Sequence, residues 1–158
     1  MPNASAIIER SPFNVCSEMT RPGSLFLPQQ DDPGDDASKV RLALAVLDAF
    51  TAAFNARDIA GMDAQLHFPH VILSGEQLVL WETPGQLPPH FFDDLARETG
   101  WHHSAWHARE PVLVGPRKVH FAVTWSRNRT DGSIVTLHHN LWIATEEAGR
   151  WGIKQRSY

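Results

Sequence analysis

The sequence predicts an α+β domain: three helices followed by a strongly curved, mostly antiparallel sheet of about six strands. Three observations carry this. Apolar residues recur at helical spacing early in the chain and alternate at period two later, a change of period that separates helices from strands. Short separators, "GPR", "TDG" and "EAG", divide the second half into long strands joined by hairpins. The helices come mainly before the long strands, the order expected of helices segregated to one side of a sheet.

Residues 1–38 form an acidic, irregular N-terminal tail. "RPGSLFLPQQDDPGDD" is dense in Pro, Gly and Asp and has no period. "SLFLP" is its expected anchor. Residues 39–158 form the single domain. Helix one starts near "DDASKV", and Val40, Leu44, Leu47, Phe50 and Phe54 make its buried stripe. Asp58 caps a second short helix, "IAGMDAQL", by accepting backbone N–H bonds. Pro69 disfavours helix before it, and "HVILS" and "QLVLWET" read as two strands around the "GE" turn. A third helix spans about residues 88–97 and stops at Gly100.

Four strands complete the domain: "WHHSAWHAREPVLV", "KVHFAVTWSRNR", "SIVTLHHNLWIAT" and "RWGIKQRS". Val119, Phe121, Val123 and Trp125 share one face. A three-residue Thr130-Asp131-Gly132 loop with Gly132 left-handed pairs Val123 with His139 and Phe121 with Leu141. "EAG" as a similar loop sets Ile143 against Ile153, Leu141 against Gln155 and His139 against Ser157. The register matters because a one-residue slip turns every side chain to the other face. "WHHSAW" depends on Pro111. Unshifted, the strand brings His103 and His107 to the Phe121/Val123 face, the preferred reading. A bulge at Glu110-Pro111 brings Ser104 and Trp106 inward instead.

Charge narrows the function. The net charge of −4 resides in residues 1–38; residues 39–158 carry twelve basic and twelve acidic side chains. Nucleic acid is disfavoured as a partner, because the domain lacks a cationic footprint. Arg127, Arg129, Lys154 and Arg156 read as solvated surface rather than a basic patch. No apolar run is long enough to span a membrane, and no signal peptide is evident, so the expected location is cytoplasmic. Cys16 is the only cysteine, which excludes an intrachain disulfide.

No cofactor or metal is expected. His102 and His103 as strand neighbours point to opposite faces, as do His138 and His139. His103 and His107 share a face but lie about 13 Å apart, too far to share an ion whose ligands stand about 2 Å away.

"VLDAFTAAFNARDIAGMDAQLHFPHVIL" (46–73) and the terminal "GRWGIKQRSY" (149–158) resemble the nuclear-transport-factor-2-like superfamily, within it the SnoaL-like and ketosteroid-isomerase-like domains. They match that family's opening helix pair leading into the first strand, and its closing Trp-x-Ile strand. The resemblance covers roughly residues 39–158. It implies a cone-shaped half-barrel with a pocket between the concave sheet and the helices, often dimerised through the outer sheet face. Ketosteroid isomerases carry an aspartate base near the first strand pair, with a tyrosine and an acid in the pocket. Here that region reads "VILSGEQ", without Asp, and the only tyrosine is Tyr158. The steroid-isomerase mechanism is therefore not expected.

The functional expectation is a small-molecule-binding domain for an apolar, ring-containing ligand, either a cofactor-free isomerase, cyclase or dehydratase or a non-catalytic dimerisation or sensing module of the same fold. The candidate bases are His139, His103 and His67. His139 ranks first because a buried imidazole stays neutral and can accept a proton; the competing reading is a core histidine satisfied by one hydrogen bond. Trp81, Trp106, Val123, Trp125, Gln155 and Ser157 are the candidate ligand contacts. Trp142, placed on the outer face, points to a homodimer through that face. An open cavity with converging polar groups favours an enzyme, and a filled cone eliminates one.

Overall fold

A computed structural model describes residues 34–158. The tail's "SLFLP" anchor and Cys16 lie outside the described residues. Helix α1 (Asp36–Asn55) begins at the Asp35 cap, whose carboxylate accepts from the Ser38 N–H. Helix α2 (Ile59–Ala64) is capped by Asp58, as expected, through the Gly61 N–H. Strands β1 (Leu66–Ser74) and β2 (Gln77–Trp81) follow, then α3 (Phe91–Thr99), which Gly100 ends with φ +74°. β3 (His103–Gly115), β4 (Lys118–Asn128), β5 (Ile134–Glu147) and β6 (Arg150–Ser157) complete the chain. β1 starts earlier than "HVILS" and runs through Phe68-Pro69, whose peptide bond is cis.

The sheet order is β2-β1-β6-β5-β4-β3. All neighbours are antiparallel except β1 and β6. The three helices pack on a curved, unclosed six-stranded sheet. The curvature has a local cause, because each bulge bends its strand and adds twist. One unpaired residue interrupts the ladders at His107 and Val112 in β3, at Val135 in β5 and at Lys154 in β6. Pro111 sits in an edge strand, directly beside the bulge at Val112, the two settings in which a sheet accommodates proline.

These bulges overturn the predicted registers. The Thr130–Gly132 turn forms, Gly132 adopts φ +83°, and Asn128 opposes Ile134 in the expected parity. The bulge at Val135 then shifts the ladder by one. Val123 faces Asn140, Phe121 faces Trp142, and His139 faces Thr124. The β5–β6 hairpin turns through two residues, Ala148 and Gly149, both at positive φ, instead of three. The bulge at Lys154 adds a second one-residue shift, so Trp142 opposes Arg156 and Ile143 opposes Gln155. In β3 the turn is also a residue shorter than predicted, and two bulges follow, so Ser104 and Trp106 point inward rather than His103.

The core lies between α1 and the concave face. Ala43, Val46, Leu47 and Phe50 pack against Val119, Phe121, Val123, Trp142, Ala144 and Ile153. Met62, Leu66, Phe92 and Trp101 complete the core, Phe92 and Trp101 packing on Phe54 at ring separations of 5.0 and 5.3 Å. Each such large side chain contributes about 1.5–3 kcal/mol by leaving water. Trp142 is 3% exposed, edge-on to Phe50 and Trp106 at ring separations of 5.6 and 5.2 Å. It is core, not outer face, and does not mark an interface.

Candidate functional site

Alternation along the strands builds a slot at the open side of the sheet's concave face. Ser104 and Trp106 enter from β3, Trp125 and Arg127 from β4, Trp142 from β5, and Arg156 with Tyr158 from the end of the chain. Each set repeats at period two, so all point to one face. Phe50 and Phe54, one helical turn apart on α1, form the opposite wall with Thr51. The slot has a volume of about 50 Å³. One water needs roughly 10–15 Å³ by this measure, so a few small groups fit. Three tryptophans fill most of the cone, and the space is far below the several hundred Å³ common for ligand pockets.

Arg156 is 5% exposed, and its guanidinium carbon stands 4.9 Å from the Phe50 ring centre and 5.6 Å from those of Trp81 and Trp142. Its Nε–H donates to His70 Nε2 at 3.0 Å, and Nη1 donates to the Tyr158 hydroxyl at 3.0 Å. His70 is fully buried, with Nδ1 3.0 Å from the Ile153 carbonyl. Since a carbonyl only accepts, Nδ1 holds the proton and Nε2 keeps its lone pair for Arg156. Burial first, and then the Arg156 charge, push the His70 pKa down to about 3. This imidazole positions a guanidinium; its lone pair is engaged and does not serve as a base.

Arg127 lies 5.6 Å from the Trp125 ring centre, and burial pushes its pKa down. His138 stacks on the Trp125 ring at 4.1 Å, and the indole N–H donates to Asn140 Oδ1 at 2.8 Å. Burial and then Arg127 push the His138 pKa down. No carboxylate and no imidazole lines the slot. Among the described residues neither Arg127 nor Arg156 forms an ion pair.

The sequence-level candidates scatter. Trp106 and Trp125 line the slot. Trp81 lies behind it, against His70 and Arg156. Val123 is inward but sealed in the core. His139 is on the outer face, with Nδ1 3.1 Å from Thr124 Oγ1, because of the Val135 bulge. Gln155 and Ser157 share that outer side; the Ser157 hydroxyl bridges the N–H and carbonyl of Leu141. His103 points away from Ser104 and meets Asn128 Nδ2 at 3.3 Å. His67 is buried and fully bonded, accepting from Arg150 at Nδ1 and reaching the Thr145 and Arg150 carbonyls through Nε2. None of the three candidate bases reaches the slot.

His102 precedes β3, so strand alternation does not govern it, and its Nδ1 stands 3.2 Å from that of His103. The argument that these two must diverge therefore fails. Even so, no group of three or more His, Cys, Asp or Glu among the described residues is placed to hold a metal ion. Arg127 and Arg156, read as surface, are the residues the sequence analysis missed. A signal existed: Arg127 is the next position of the inward series Val119, Phe121, Val123, Trp125.

No helix among the described residues is long and apolar enough to cross a membrane. No protein-family model matches the chain, and no curated protein does. Solved structures do match in shape. A ketosteroid isomerase-like protein from Erwinia carotovora superposes with a TM-score of 0.52 at 16% identity, covering 75% of this chain and 93% of that one. An NTF-2 like protein of unknown function from Shewanella oneidensis gives 0.50 at 11%, over 77% and 96%. A protein of unknown function with a cystatin-like fold from Nostoc punctiforme gives 0.57 at 9%, over 75% and 87%. Such identities speak for fold alone. With its helices on an open, bulge-curved sheet, the chain has the nuclear-transport-factor-2-like superfamily fold.

Proposed function

We propose that this domain is a binding module for a small, flat, ring-containing molecule, received in the slot between α1 and the sheet. The observation that carries the reading is the wall itself. Trp106, Trp125, Trp142, Phe50 and Phe54 converge on one opening with few polar groups, the composition of a small-molecule site. The small volume means that one ring edge or one head group enters, with the remainder at the mouth beside Thr51 and Tyr158.

The geometry favours a receptor over an isomerase, cyclase or dehydratase. Those reactions need a group that accepts a proton, and the slot holds neither carboxylate nor imidazole. A thermal-shift series with single-ring, steroid-like and aromatic polyketide-like compounds tests the reading. Ring compounds should raise the Tm of the wild type and leave Thr51→Trp, which fills the mouth, unchanged. Absence of any shift would overturn it, and turnover of a bound compound would restore the enzyme.

We also propose a homodimer through the outer sheet face. Leu113, Leu137 and Leu141 are 48%, 49% and 38% exposed there. Light scattering should report a dimer that Leu137→Glu with Leu141→Glu dissociates; a monomeric wild type removes the proposal.

A further inference from the structure

Among the described residues, four buried side-chain polar atoms lack a hydrogen-bond partner within the protein. Three of them are N–H donors: Nε of Arg127 and Nε1 of Trp106 and Trp142. All three residues line the same slot. Buried donors are normally paired, and those left over call for a specific explanation. The fourth, Asn128 Oδ1, is an acceptor outside the slot lining; within the slot the surplus has one sign. The indole N–H and the guanidinium can only donate, so whatever completes the site supplies acceptors.

Charge narrows the acceptor. Arg127 and Arg156 bring two positive charges to one aromatic-walled slot, where water screens them poorly. No carboxylate of the described chain answers either of them. The two differ in what remains free. Arg156 already donates to His70 and Tyr158, so it contributes mainly charge and is held in place by the buried imidazole. Arg127 keeps its Nε edge unbonded, and a guanidinium edge matches the two oxygens of a carboxylate. The rigid indole donors sit beside flat apolar walls, an arrangement for an anion attached to a ring rather than for a compact, fully hydrated one.

We infer that the slot binds a planar aromatic monocarboxylate, its carboxylate held by Arg127 with the Trp106 and Trp142 N–H groups and its ring against the aromatic walls. This rests on the ligand-binding reading and specifies the ligand's chemical class. The Tyr158 hydroxyl, which accepts from Arg156, keeps its own proton for a ligand oxygen.

Calorimetric titration of the full chain with benzoate, with benzamide as the neutral counterpart, tests the inference. Benzoate should bind about tenfold to a hundredfold more tightly than benzamide, the range expected for hydrogen bonds to a charged partner. Arg127→Met should erase that preference. Should Arg127→Met fail to fold by circular dichroism, Trp106→Phe decides, since losing one donor should narrow the benzoate-to-benzamide ratio several-fold. Equal binding of the two probes, unaltered by either variant, overturns the anion assignment and leaves the ligand-binding reading standing. Inorganic phosphate binding as tightly as benzoate overturns the carboxylate assignment. If neither probe binds and no neutral ring compound shifts the Tm, both readings fall.

Discussion

Two arginine–histidine pairs bridge β1 and β6, and they have opposite fates. In the first, Arg150 donates to the carbonyls of Ala64 and Leu66 and to His67 Nδ1, and His67 spends its other nitrogen on the Thr145 and Arg150 carbonyls. The Glu147 carboxylate lies 4.0 Å from His67. Every group there finds a protein partner. In the second, Arg156 and His70 are more deeply enclosed, yet the guanidinium looks into a slot without a counter-charge. The same side-chain types close one end of the β1–β6 seam and leave the other facing the slot. The lesson is that pairing chemistry alone does not separate a structural clamp from a site; the saturation of its donors does.

The largest effect should come from unpinning the open pair. His70→Ala removes a hydrogen bond to a buried guanidinium and leaves a cavity, at a cost of about 3 kcal/mol in urea unfolding. It should also weaken benzoate binding, whereas His67→Ala should cost stability and leave binding intact. If both variants bind benzoate alike, the two pairs are not functionally distinct. Gly152→Ala attacks the closed pair. A Cβ there would stand 2.7 Å from the His67 ring, and overpacking of this kind costs about 2 kcal/mol with no expected change in slot affinity.

Acid should distinguish the pairs by degree. The folded His70 value of about 3 lies below the 6.5 of the unfolded chain. Protons therefore bind the unfolded state first. The contribution is full above about pH 6.5 and is lost progressively as pH falls towards 3. Between pH 7 and 5 this amounts to about 2 kcal/mol, readable as a lower urea midpoint that His70→Leu flattens. His67 is lowered too, by burial against the opposing pull of Glu147, so a slope should survive in His70→Leu. The smallest change is Arg150→Lys. An ammonium cannot span two carbonyls and an imbalanced imidazole at once, and about 1 kcal/mol should be lost, with benzoate affinity unchanged.

Much of the fold was legible in the chain. The Asp58 cap, the Gly100 stop and the left-handed Gly132 each follow from local chemistry that tertiary context did not override. The order of helices and strands follows from the change of hydrophobic period. The faces of β3, β5 and β6 did not follow, and the reason is specific. Parity depends on loop lengths and on bulges at His107, Val112, Val135 and Lys154; Pro111 signals the one beside it, whose expected result, Ser104 and Trp106 inward, is the face observed, while the other three leave the alternating pattern unmarked. His139 was assigned inward and its neighbour His138 outward for want of one residue. Arg127 and Arg156 were missed for a second reason: charge argues for exposure until partners are known, and their partners are aromatic rings and an imidazole from distant strands.

The bulges also carry a consequence for how such a sheet can vary. Inserting or deleting one residue inside a strand acts as a frameshift of faces: everything up to the next offset is re-addressed from the interior to solvent. Two opposite indels restore the frame and change only the stretch between them. β3, at the edge with two offsets five residues apart, is the strand most open to such paired changes. A lineage could thus exchange the lining contributed by β3 while β4, β5 and α1 keep theirs, altering what the slot accepts without repacking the core.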